Sequence, residues 1–158
     1  MINVFILVAL VSTAQSSQSE SLLFGIPPQI RRCLEPVESH YKPSDRSNPF
    51  YLRGDIDGDG KLDYAVLITN SRSERGVAVC LAATRKPIIL GAGSVFDGDS
   101  DLTFGVWRIF PKGPVGRGVE AGPPPILRGD ALLLIWPESA SGLVYWDGRG
   151  FRWYQQGD

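Results

Sequence analysis

Apolar positions along this chain fall into short runs separated by Gly, Pro, Asp and Ser, and most of those runs have the length of a β-strand. An apolar run, Val4 to Val11, opens the chain and gives way to the small residues Ser12-Thr13-Ala14. Ile26, Ile30, Cys33 and Leu34 then recur at helical spacing, with Pro27 and Pro28 where a first helical turn tolerates proline and Pro36 limiting the length. After the polar stretch Lys42 to Pro49 the pattern turns to β. Phe50-Tyr51-Leu52 is a short strand, and Tyr64 to Thr69 and Gly76 to Ala82 form a hairpin around the polar turn Asn70 to Arg75. Further strands are predicted at Pro87 to Leu90 and Phe104 to Phe110. The continuous apolar run Ala131 to Trp136 reads as a central strand. Gly142 to Trp146 and Phe151 to Tyr154 flank Asp147-Gly148-Arg149-Gly150 as a second hairpin. Pro111 to Pro125 is dense in Gly and Pro, has no apolar periodicity and is read as a loop.

These elements predict an α+β fold: one N-terminal helix packed on a mainly antiparallel sheet of five to seven strands. With 158 residues, 43% hydrophobic and 21% charged, the chain suits a single domain, placed at 23–158. The formal net charge of -1, with basic residues scattered and densest at Arg31-Arg32 and Arg85-Lys86, argues against a nucleic-acid partner. The opening run and its small-residue end read as a signal peptide over 1–14, followed by a flexible mature N-terminus over 15–22. No Lys or Arg precedes that run. It is far shorter than the ~20 residues a bilayer needs, so no stable membrane insertion is expected after cleavage. The expected location is periplasmic or secreted. In that setting Cys33 and Cys80 either form one disulfide, tying helix to sheet, or remain two buried thiols.

One motif carries chemistry. In Asp55-Ile56-Asp57-Gly58-Asp59-Gly60-Lys61-Leu62-Asp63 three aspartates alternate and a fourth follows four residues later. Gly58 and Gly60 allow the chain to curl with positive φ, so alternate side chains can point at one centre. Four carboxylates, with the backbone carbonyl of Lys61, supply the oxygen ligands of a hard cation, and calcium suits that number better than magnesium, which keeps its waters. Without an ion the clustered charges repel. The alternative is a solvated Asp/Gly turn.

The spacing is that of the first nine positions of an EF-hand loop, but Val66 stands where the bidentate Glu of the twelfth belongs, and a strand follows. Gly54 to Val66 instead resembles the calcium loop of FG-GAP/VCBS-type repeats, which runs into a β-strand. The resemblance implies calcium ligation by Asp55, Asp57, Asp59 and Asp63, with a backbone oxygen at Lys61. It covers about fifteen residues in a single copy with no Phe-Gly-Gly-Ala-Pro element before it, so a propeller is excluded and the family's adhesive roles do not carry over.

Other candidates have bland readings. Asp97-Gly98-Asp99-Ser100-Asp101 alternates similarly but has Gly105 at its ninth position, and reads as a surface turn. His40 is the sole histidine and sits before a polar loop; a Cys33–His40 pair is the one nucleophile arrangement the spacing leaves open. Glu120 and Glu138 are not placed together by anything in the sequence. Trp107, Trp136, Tyr145, Trp146, Phe151, Trp153 and Tyr154 are read mainly as core, with a partly exposed binding face as the alternative. The expectation is therefore an exported, non-enzymatic, calcium-binding domain with a protein partner, of the inhibitor or immunity kind. The alternative is a cell-envelope hydrolase or glycan-binding domain using the aromatic hairpin and the Gly/Pro loop.

Overall fold

A computed structural model describes residues 25–119 and 122–157. The expected signal peptide (1–14) and mature N-terminus (15–22) lie outside the described residues. In chain order the elements are α1 (Pro28–Leu34), a 3-10 turn (Glu35–Val37), β1 (Tyr41–Pro43), β2 (Tyr51–Gly54), β3 (Asp63–Asn70), β4 (Arg75–Cys80), β5 (Ile88–Gly91), β6 (Val106–Phe110), β7 (Ala131–Trp136), β8 (Ala140–Trp146) and β9 (Phe151–Gly157).

The expected α+β division is corrected: the protein is mostly β, built from two antiparallel sheets, and its helical content among the described residues is α1 and the short turn after it. Pro36 stops the helix, leaving seven residues, too few to form a layer. The first sheet has five strands, with β1 and β2 sharing one edge of β3, then β4 and β5; the second runs β6-β7-β8-β9. Both expected hairpins are present, as β3–β4 and β8–β9. Strand β1, only three residues long, takes Lys42 and Pro43 from the start of the stretch expected to be a polar loop.

Side-chain alternation explains why two sheets replace one. On β3 and β4, Ala65, Leu67, Val77 and Val79 face the second sheet, where they meet Trp107, Leu132, Leu134, Val144 and Phe151. Their neighbours Tyr64, Val66, Ile68, Ala78 and Cys80 point the other way, to Ile26, Ile30, Cys33 and Leu34. On the far side, Ala131, Leu133, Leu143 and Tyr154 are covered by the partly buried Val115 of the Gly/Pro-rich segment and by Leu127 just beyond it. Both β3 and β7 are thus buried on two faces, which is the physical reason their sequences are unbroken apolar runs rather than alternating ones. Cys33 and Cys80 form a disulfide, fastening α1 to β4.

Candidate metal site at the sheet junction

Strands β2 and β3 pair from Tyr51↔Val66 to Gly54↔Asp63, and the aspartate-rich segment closes that hairpin. Ile56, fully buried in the core between the sheets, anchors it. Gly58 (φ 79°) and Gly60 (φ 82°) turn the chain in the left-handed region, where a side chain would be strained. Carboxylates of the loop accept bonds from backbone N–H groups ahead of them: Asp57 Oδ1 from Asp59 N (3.1 Å), Asp55 Oδ2 from Gly60 N (3.1 Å) and Asp59 Oδ1 from Lys61 N (2.8 Å). These contacts curl the segment on itself.

Asp63 closes the curl from within. It is fully buried, and its Oδ2 accepts from Ile56 N (2.9 Å) and Asp57 N (3.3 Å) while Oδ1 accepts from Ala82 N (2.7 Å), beyond the end of β4. Burial pushes the Asp63 carboxyl above the usual carboxylate range, and the three backbone N–H groups pull against it.

Asp55, Asp57 and Asp63 each bring one carboxylate oxygen within 4.8 Å of the others, so these three could hold a metal ion. Asp55 Oδ1 is buried and accepts no hydrogen bond. A buried carboxylate oxygen without a donor is costly, and a cation in the cluster would satisfy it. The donors are all oxygen, which suits hard cations over zinc or copper. Asp59 and Lys61, the remaining expected ligands, stand at the rim: Lys61 Nζ donates to Asp59 Oδ2 at 2.8 Å. That bond lowers the Asp59 carboxyl and raises the Lys61 amine from their ordinary values.

Asp130 belongs to the same arrangement and was missed from sequence. At the entry to β7 it donates its N–H to Asp55 O (2.7 Å), accepts from Asp55 N on Oδ2 (3.1 Å) and accepts from Lys112 N on Oδ1 (2.9 Å). Its neighbour Gly129 lies so close that a Cβ there would strike Asp55 O and Gly58 N, and a Cβ on Gly58 would strike Arg128 O. The second sheet therefore rests on the aspartate loop of the first. The sequence signal, Gly-Asp before an apolar strand, was visible, but nothing in sequence pairs it with a loop 75 residues earlier.

No family model, curated protein or solved structure matches this chain.

The other candidates are not brought together. Cys33 is consumed in the disulfide, and His40 is exposed with Ser39 Oγ 2.8 Å from its Nδ1, so the Cys33–His40 arrangement has no thiol to act. Asp97 (φ 51°) and Gly98 (φ 86°) make a tight turn closed by Phe96 and Asp99. Asp101, from the same cluster, turns to Arg75 instead, at 2.9 Å from Nε and 2.7 Å from Nη2. Glu138 sits in the β7–β8 turn at φ 61°, and Glu120 lies outside the described residues. No helix among the described residues is long and apolar enough to cross a membrane.

Proposed function

We propose that this chain is an exported, non-enzymatic binding module stabilised by one calcium ion, which fastens the β2–β3 loop beneath the entry to β7. The observation that carries the calcium reading is the buried, donorless Asp55 Oδ1 within a group of three carboxylates. The oxygen-only set, the glycine-bearing curl and the resemblance of Gly54 to Val66 to FG-GAP/VCBS-type loops favour calcium over other cations. Asp59 and the Lys61 backbone oxygen complete the ligand set which that resemblance implies. Export to the periplasm or beyond is supported by the Val4 to Val11 run and by the Cys33–Cys80 disulfide, a bond that persists in oxidising compartments. The partner we infer is a protein.

Calorimetric titration of chelator-treated protein with calcium tests the central part. We expect a saturable heat, and at a free calcium concentration 100-fold above Kd a stabilisation of about 2.7 kcal/mol, read as a rise of roughly 5–11 °C in Tm. Asp55→Asn combined with Asp57→Asn should abolish both. A native-state titration without heat and without a Tm shift would leave the loop a plain Asp/Gly turn.

A further inference from the structure

Far from the aspartate loop, six residues along β7, the two sheets part around a cleft of about 310 Å³. At the rise of a β-strand that separation from Asp130 is about 20 Å. One wall is the inner face of the second sheet, presenting Trp136 and Trp153 with ring centroids 5.8 Å apart and planes at 85°. The other is the Phe96 to Asp99 turn, which contributes Phe96 and two exposed aspartates, Asp97 and Asp99; the floor is the buried pair Leu102 and Leu134. The room for Trp153 is specific: its indole lies over Gly142, where any Cβ would collide with it.

The polar groups of this cleft are unbalanced. Both indole N–H groups are spent, Trp136 on Thr103 Oγ1 (3.1 Å) and Trp153 on Gln155 Oε1 (3.1 Å), and Gln155 Nε2 donates to Gly157 O (2.9 Å). No Lys, Arg or His lines it. Asp99 gives one oxygen to Asp101 N (2.9 Å), and the Asp97 carboxylate has no partner among the described residues. What remains to a ligand is aromatic faces, the hydroxyl of Ser139 and two negative charges. Ring quadrupoles and carboxylates attract the same species, a cation with an apolar flank. A neutral sugar needs several donors as well as acceptors, and here the indole N–H groups are turned away and Ser139 offers a single hydroxyl. The volume, at the lower end of the roughly 300–1,000 Å³ common for ligand sites, admits one small group.

We propose that this cleft binds an organic cation, an alkylammonium or guanidinium group, seated against Trp136 and Trp153 with its charge toward Asp97 and Asp99. The site stands apart from the calcium loop, so each reading can fail without the other.

Titrations followed by tryptophan fluorescence and NMR, run with calcium present and repeated with chelator, test this. The probes are choline, its uncharged isostere 3,3-dimethylbutan-1-ol, the amides of Nα-acetyl-lysine and Nα-acetyl-arginine, and methyl glucoside. We expect saturable binding of the cations at least about tenfold tighter than the isostere, and an about tenfold loss in the Asp97→Asn/Asp99→Asn protein at unchanged Tm. That variant keeps the fold, since asparagine tolerates the positive φ of Asp97 and its side-chain oxygen can still accept from Asp101 N. Tighter choline than amino-acid amides points to a free quaternary amine; the reverse order points to a basic side chain of a protein. Equal binding of the isostere, preference for methyl glucoside, or no response to any cation would overturn the proposal.

Discussion

Asp63 shows how one residue serves fold and site together. Its carboxylate is the acceptor for three backbone N–H groups in two separate segments, so the loop is shaped around that side chain. Loss of a buried acceptor leaves its donors unpaired at ~1–3 kcal/mol each, which makes this aspartate structural whatever ion it also meets. Asp101 acts at the residue scale through charge. Arg75, bound to it through two nitrogens, holds its carboxyl down to about 2. A carboxyl whose folded value lies below its unfolded one stabilises the protein above the unfolded value and loses that contribution as pH falls toward the folded one. Both side chains are 37% exposed, so solvent screening limits the effect to about 1 kcal/mol or less. Measured by denaturant titration, wild type should lose up to that much more stability than Asp101→Asn between roughly pH 4 and pH 2.

At the scale of elements, the disulfide and the short helix form one unit. Alone, the seven residues of α1 could not hold helical structure in water. Packing of Ile30, Cys33 and Leu34 on the outer face of the first sheet, together with the Cys33–Cys80 bond, keeps it in place. The bond closes 47 residues of chain, for which the loop-entropy model gives about 4 kcal/mol. Chemical denaturation with and without reductant should show a loss of that order, and the Cys33→Ala/Cys80→Ala protein should match the reduced form. The helix was legible because its apolar residues recur at helical spacing; its minor share of the fold was not, because spacing does not say how much sheet surface a helix must cover. Likewise the Gly/Pro-rich segment was legible as irregular, while its cover of the outer face of the second sheet, through Val115 and with Leu127 just beyond it, was hidden by its lack of periodicity.

For the whole molecule, the decisive contact is Asp130 on the aspartate loop. Both sheets meet there through two hydrogen bonds between Asp130 and Asp55, while a third, from Lys112 N, ties Asp130 to the chain just beyond the end of β6; the glycine beside it has no side chain to block the approach. Replacing Asp130 by Ala leaves the half-buried Asp55 N without its acceptor, for a loss of about 1–3 kcal/mol, while the exposed Lys112 N can turn to water. Because Asp55 is positioned by the same bonds, calcium affinity should fall with stability in that variant, which parallel thermal melts and calcium titrations would show. Unchanged affinity in a destabilised variant would mean that the loop holds its shape without the second sheet.

Where most strands run, where two hairpins turn and which nine residues form the acidic loop are legible in the chain alone, because those features arise from neighbours along it: alternation, glycine φ freedom and side-chain-to-backbone bonds a few residues apart. The division of the strands into two sheets, the convergence of Asp55, Asp57 and Asp63 while Asp59 turns to Lys61, and the approach of Asp130 emerge from the folded arrangement. A run buried on both faces reads the same whether a helix or a second sheet covers it, and a contact between distant residues leaves no periodic trace in either partner.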